Sequence, residues 1–293
     1  MLEALAAAYG KTDYLDQILK EITDEMWDEL RPELQMILEK YLEDPHMKID
    51  ISRYPAIQMA LVEAERKQHW RLLEYFWIGY NVITDSLIET YQQSSRDAYA
   101  LMELLPLWER ESPTMSEVAR AAQGGAANET YKIQVDIGRQ VTAEVRITDT
   151  YIKSDILPIP WCSDGKVYSQ RLYGHIANFQ SKLDYVLREG ITKGRGMEWM
   201  TDAWRKLVGA TAYDAARLLK TETMAMYNRG LKDSYLEMGV EYVEIVGDAE
   251  CGGICLDYVD GDPVPLAEAD INVELPPYHP NCACSFVVYE EIK

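Results

Sequence analysis

YKIQVDIGRQVTAEVRI, residues 131–147, is the stretch that separates an all-helical reading of this chain from an α+β one. Tyr131, Ile133, Val135 and Ile137 alternate with polar residues, Gly138-Arg139 turns the chain, and Val141, Ala143, Val145 and Ile147 alternate again. A period of two gives each strand one apolar face, and a glycine-containing turn between two such runs predicts a β-hairpin. On both sides of it the apolar period is near 3.6, which is helical. The expected fold class is α+β and predominantly helical. An N-terminal helical bundle covers residues 1–125, the hairpin and a proline-containing connector cover 126–163, and a C-terminal helical domain covers 164–293 and ends in a small, zinc-like Cys/His-rich β/loop element.

Upstream of the hairpin, Tyr14, Leu15, Ile18, Leu19 and Ile22 form a helical stripe. Pro32, Asp44-Pro45 and Tyr54-Pro55 each mark a break or a first helical turn, since proline removes a donor and restricts the residue before it. From Ala56 to about Leu105 there is no proline and one glycine, Gly79, which suits one extended helix or two stacked ones. Trp70, Tyr75, Phe76, Trp77, Tyr80, Tyr91 and Tyr99 are too many aromatics to lie all in water, so they form a bundle core or a surface for another subunit. Ser112, Pro113 and Gly124-Gly125 punctuate a last N-terminal helix.

Downstream, Tyr151 to Ser163, with Pro158 and Pro160, reads as the connector. Leu172, Ile176, Phe179, Leu183, Val186 and Leu187 mark a helix that closes at Gly190–Gly196. A short helix from Met197 to Leu207 is expected to end at Gly209, with Thr211 capping another that reaches about Met238. Glu241 to Val246 alternates like an edge strand.

The 293 residues, 47% hydrophobic, suffice for buried cores, and no apolar run approaches the ~20 residues that span a bilayer. The opening segment lacks a basic leader, so the expected place is the cytoplasm of the producing cell. The formal charge of −20 argues against wrapping duplex DNA, which needs Lys and Arg against phosphates. The charge is uneven, however: Lys166 to Lys232 holds 12 basic and 6 acidic residues, a balance of +6, whereas Asp233 to Ile292 has no Lys or Arg. These sections complement each other as solvated faces, or the basic one contacts DNA or an acidic partner.

Four of the five cysteines, Cys251, Cys255, Cys282 and Cys284, cluster near one end, while Cys162 stands apart as a packed residue. Cys251-Gly-Gly-Ile-Cys255 sets two sulfurs on a tight loop, and His279-x-x-Cys282-x-Cys284 supplies a second group about two dozen residues later. Two short clusters joined by a loop are how structural zinc sites are built. Zinc takes four ligands from these five candidates; Cys251, Cys255, His279 and Cys282 are the first choice and Cys284 the fifth. The alternatives are reduced, buried thiols beside a histidine that satisfies backbone groups, or a nucleophilic cysteine. No Lys or Arg near the cysteines in sequence favours a thiolate, and neither a phosphate loop nor an HExxH helix is present. Glu222 and Asp248 are read as an ion-pairing residue with Arg229 and as an orienter of the Cys251 loop, not as a catalytic pair.

The order of Val167-Tyr168-Ser169, the Gly190–Gly196 loop, Lys220-Thr221-Glu222, Asp248, the cysteine pair, Asp260-Gly261 and PPYHPNCAC at 276–284 resembles the phage Mu F-like head morphogenesis family. The resemblance covers about residues 164–289, and its last string is the most specific part. Three positions depart from the family pattern: Lys220 and Ala283 stand where arginines are usual, and Ile245 stands near the place of a tryptophan. Lysine lacks the bidentate fork of arginine and alanine any charge, which weakens a contact those arginines would make with an acidic partner.

The resemblance implies a minor head (capsid) protein of a tailed bacteriophage, a structural component without catalytic activity. It would be bound to the portal protein and other capsid proteins inside the procapsid and could assist DNA packaging or ejection. Its place would then be the virion interior, after assembly in the host cytoplasm, with no membrane partner. A DNA-binding zinc module using Lys166 to Lys232, or a carrier domain related to phage-encoded toxins, are the alternatives; the chain stops nine residues after Cys284, where an effector would follow.

Overall fold

A computed structural model describes residues 2–42, 44, 46–108, 130–136, 140–146, 148–247, 253–259 and 261–289. Four long helices dominate it: α1 (Leu2–Tyr41), α2 (Pro55–Trp108), α3 (Tyr168–Thr192) and α4 (Gly196–Glu237). The β1 (Thr130–Asp136) and β2 (Gln140–Arg146) strands form the hairpin, and β3 (Tyr242–Val246), β4 (Val264–Pro265) and β5 (Ser285–Val288) form a three-stranded sheet. No helix among the described residues is long and apolar enough to cross a membrane.

The hairpin register pairs Tyr131 with Val145, Ile133 with Ala143 and Val135 with Val141, so the alternating residues of the two strands are register partners. The Gly138-Arg139 turn, and the helix read over Ser112 to Gly125, lie outside the described residues.

The chain divides into two compact units, each assembled from separated segments. The first combines residues 10–82 and 169–217. Its core takes Leu19, Met26, Leu30 and Leu34 from α1, Ile57, Leu61 and Leu72 from α2, Ile176, Phe179 and Leu183 from α3, and Met200, Trp204 and Leu207 from α4. Trp204 stacks on Trp27 at 5.2 Å between centroids and meets Phe179 edge-on at 5.8 Å. The stripe read on α3 is buried throughout, from Leu172 to Leu187. Gly194, at φ +62°, turns the chain from α3 to α4 where no side chain would fit: an added β-carbon would lie 2.1 Å from the carbonyl oxygen of His46.

Two expected breaks are absent. Pro32 lies inside α1, on its exposed side, because Leu30, Leu34, Ile37 and Leu38 continue the buried face past it. A proline inside a helix costs about 3 kcal/mol, which burial of two such side chains at about 1.5–3 kcal/mol each offsets. Likewise α4 runs unbroken through Gly209, whose solvent-facing position makes its cost only about 1 kcal/mol. Thr211 is therefore not a cap: its hydroxyl donates to the Leu207 carbonyl in mid-helix at 2.9 Å.

The second unit combines residues 1–9, 83–168 and 218–293. Reciprocal bonds tie α2 to α4 here, with Tyr91 donating to Asp233 at 2.9 Å and Tyr227 to Asp97 at 2.7 Å. Burial holds the Asp233 carboxyl above its ordinary range despite Tyr91 and Arg229. The connector contains a helical turn at Asp149–Tyr151 and a wide turn at Ile152–Ile156, whose Ile152 and Ile156 are buried. Strand β3 occupies the centre of its sheet, between β4 and β5, and not an edge as its alternation suggested. Val243 and Ile245 point into the core; such a one-sided pattern reads the same at a centre and at an edge.

Candidate metal centre

Two segments of the second unit converge near the end of the chain. A 3₁₀ turn, Gly253–Cys255, delivers Cys255, and the loop entering β5 delivers Cys282 and Cys284. All three cysteines are buried, and their sulfurs lie within 4.8 Å of one another, close enough to hold a metal ion. The Cys255 and Cys282 sulfurs are 3.7 Å apart. A disulfide would require about 2.05 Å, whereas four sulfurs at about 2.3 Å from a central zinc stand about 3.8 Å apart.

His279 joins through Cys255, with its Nε2 at 3.1 Å from that sulfur. Its Nδ1 is 2.8 Å from the Pro280 carbonyl oxygen. With the proton on Nδ1 donated to that carbonyl, the Nε2 lone pair faces the sulfurs, the arrangement in which histidine binds metals. The structure thus brings together Cys255, Cys282 and Cys284, with His279 beside them through its contact with Cys255. Cys284, ranked fifth from sequence, is fully buried in the cluster; Cys251 lies outside the described residues, as does Asp248. Cys162 is half-buried and apart from them.

Cys282 and Cys284 share a buried side although β5 begins only at Ser285, because a turn shapes the chain before them. Asn281 adopts φ +63°, a conformation asparagine tolerates better than most residues. Its backbone N–H donates to the Thr221 hydroxyl at 3.1 Å. One helical face of α4 supplies the rest of the support. Two turns beyond Thr221, the Asn228 side chain donates to the carbonyls of Pro276 at 2.9 Å and Cys284 at 3.1 Å, and its own oxygen accepts from Ser285 at 2.8 Å. Asn228 went unnoticed in the sequence; its signal was a polar residue seven positions from Thr221, hence on the same face.

Aromatic rings and a close backbone approach cover the cluster. Tyr258 stacks on Tyr278 at 4.3 Å, and Tyr278 and Val259 pack against the cysteines. Burial pushes the Tyr278 phenol above its ordinary range, and its hydroxyl donates to the Glu274 carbonyl at 2.9 Å. Gly247 leaves no room on its side: a β-carbon there would stand 2.6 Å from the Cys284 sulfur.

Glu222, read from the sequence as an ion-pairing partner of Arg229, is buried. It is 3% exposed and accepts from the Trp161 indole N–H at 2.7 Å. Arg229 lies 3.9 Å from Asp233. In the basic section Arg195, Arg205 and Arg217 have acids at 3.3–3.7 Å, and Lys232 reaches Asp270 of the acidic section at 3.7 Å. Such pairs consume charge that phosphates would otherwise meet.

Compared with known proteins, the chain matches no family model, no curated protein and no solved structure.

Proposed function

We propose that this chain is a structural and interaction protein, a minor head protein of a tailed phage, in which zinc locks the C-terminal Cys/His element onto α4. The observation that carries the reading is the convergence of Cys255 with Cys282 and Cys284, the last two supplied by the same PPYHPNCAC string that bears the resemblance to the Mu F-like family, with His279 of that string beside the Cys255 sulfur. Zinc suits a donor set of three sulfurs and one imidazole, whereas hard cations prefer oxygen. The three cysteines would supply three of zinc's four positions, and His279, in contact with the Cys255 sulfur, is the candidate for the fourth, which would make the site structural rather than catalytic. Bound there, the ion would stabilise thiolates that lack a basic neighbour in sequence, and would fix a loop-rich segment with few apolar residues. The partner expected on this reading is the portal, with the capsid interior as the location.

Elemental analysis of protein purified without chelator tests the metal. One equivalent of zinc is expected, reduced to background in a Cys255→Ser/Cys282→Ser variant; unchanged metal in that variant overturns the ligand set. Co-expression with the portal protein of the same genome tests the role. A complex that survives gel filtration supports it, and full separation of the two proteins, with portal and terminase genes missing from the neighbourhood, overturns it.

A further inference from the structure

In the second unit a cleft of about 380 Å³ is lined by the connector at 159–163, by α4 and by the loop at 270–273. That is within the size range of small-ligand sites. Arg229 and Lys232 reach it from α4, and Ile159, Trp161 and Val273 give it apolar walls. Its cations outweigh its acids where water is excluded. Arg229 keeps 19% of its side chain open and Lys232 18%, against 34% for Asp233 and 79% for Asp270. Solvent screens Asp270, which leaves two shielded cations against one acid. These three are unevenly matched. Lys232 is bonded to the Ala269 carbonyl, and Asp233 accepts from Tyr91 at 2.9 Å. Arg229 makes no hydrogen bond among the described residues, for the Asp233 carboxylate stands 3.9 Å from its Nε, beyond hydrogen-bond reach. A guanidinium carries five N–H donors in a planar fork, and here that fork is idle. Its nitrogens are not cut off from solvent, so a ligand can reach them. The loop adds a second donor in a fixed place. Asn272 stands at φ +71° in a tight turn, where its N–H donates to the Leu275 carbonyl at 2.7 Å and the Leu275 N–H to the Asp270 carbonyl at 3.0 Å. Its side-chain amide is likewise open and makes no hydrogen bond among the described residues.

We propose that this cleft binds the carboxylate of an apolar acid, held by the Arg229 fork and the Asn272 amide, with its hydrocarbon part along Ile159, Trp161 and Val273. Arginine takes a carboxylate through two parallel hydrogen bonds, a geometry that lysine cannot reproduce. Lys232, whose ammonium is already bonded, contributes charge. A monoanion matches a cleft with one shielded charge in excess, whereas a dianionic phosphate would overshoot it beside Asp233 and Asp270. Ile159 and Val273 are 47% and 54% exposed, so a hydrocarbon group laid on them removes apolar surface from water.

Two sources carry such a group, a free alkyl acid and the C-terminal residue of a partner chain. Calorimetric titration of the full chain with 4-methylpentanoate and with Nα-acetyl-leucine covers both. Nα-acetyl-leucinamide, which has no carboxylate, and inorganic phosphate are the controls. Saturable binding of at least one acid is expected, and the tighter of the two names the source. Arg229→Lys keeps the charge and loses the fork, so binding should weaken roughly tenfold. Asn272→Gly removes the amide donor and should weaken it about fivefold. Glycine adopts a positive φ freely, so the Tm of Asn272→Gly should match that of the parent, which separates lost binding from lost folding. Absence of saturable binding by either acid, equal binding of the leucinamide, tighter binding of phosphate, or undiminished binding by either variant would overturn the proposal. The Asn272 side-chain amide resonances offer a second readout: they should shift with the bound acid and stay fixed with the leucinamide.

Discussion

Asn228, buried in the C-terminal part of α4, donates to the carbonyl oxygen of Cys284 and thereby holds the backbone of a candidate metal ligand that lies 56 residues further along the chain. The same amide reaches Pro276, so one side chain clamps both ends of the PPYHPNCAC loop. Asn228→Ala leaves two buried carbonyls and the Ser285 hydroxyl without this partner, each loss being worth about 1–3 kcal/mol. A fall in Tm together with faster loss of zinc to a competing chelator is the expected result. Unchanged values of both would mean that the loop is held by other contacts.

Gly247 tests the closeness of packing around the cluster. Its missing β-carbon would collide with the Cys284 sulfur, and the Val259 side chain at 3.1 Å blocks the way aside. Gly247→Ala should therefore reduce zinc content and stability together, by about 1–3 kcal/mol, the usual cost of overpacking. Gly209→Ala is the paired control, since nothing stands within 4 Å of that position and an alanine there should raise the Tm. Denaturant titrations of the two variants, read against the parent, give opposite signs if the packing is as described.

Glu65 makes a pH prediction. Its carboxyl is pushed up to about 7 in the folded chain, against an ordinary 4.5, by burial first and then by Asp184, with Arg188 opposing. As pH rises from about 4.5 to 7 the unfolded chain gives up the Glu65 proton while the folded chain keeps it, so folding loses stability across that window and levels off above it. Glu65→Gln removes this contribution, so the stability gap between variant and parent should grow in the variant's favour between those pH values. Urea midpoints at pH 4.5, 6 and 8 measure it; a gap that does not change with pH would place the Glu65 carboxyl at its ordinary value.

Sequence periodicity revealed those features that depend on a side chain's own neighbours. The alternation in 131–147 gave the hairpin pairing, the Leu172 to Leu187 stripe gave the buried face of α3, and the paired cysteine clusters gave a centre that three buried sulfurs occupy. Local punctuation misled where burial outweighed it. Pro32, Gly209 and Thr211 looked like helix boundaries, but long helices with apolar faces ran through them. Of the dense aromatics, Tyr75 and Tyr91 are buried while Trp70 and Trp77 stand exposed on α2, a division that periodicity could have offered and residue counts could not. Asn228 and the Trp161–Glu222 bond were hidden because both join residues distant in sequence, and a lone polar residue on a helix carries no mark of its partner.

Strand β5 sets a timetable. Val243 meets Val288 in the register of the sheet, and Asn228 waits for the Cys284 carbonyl, so neither the middle strand nor its supporting helix finds all its partners until the ribosome has delivered residue 288. The cysteine-rich element must therefore close on a helix made some sixty residues earlier. All three cysteines can share a metal only once Cys284 has been made, well after the helix that supports them.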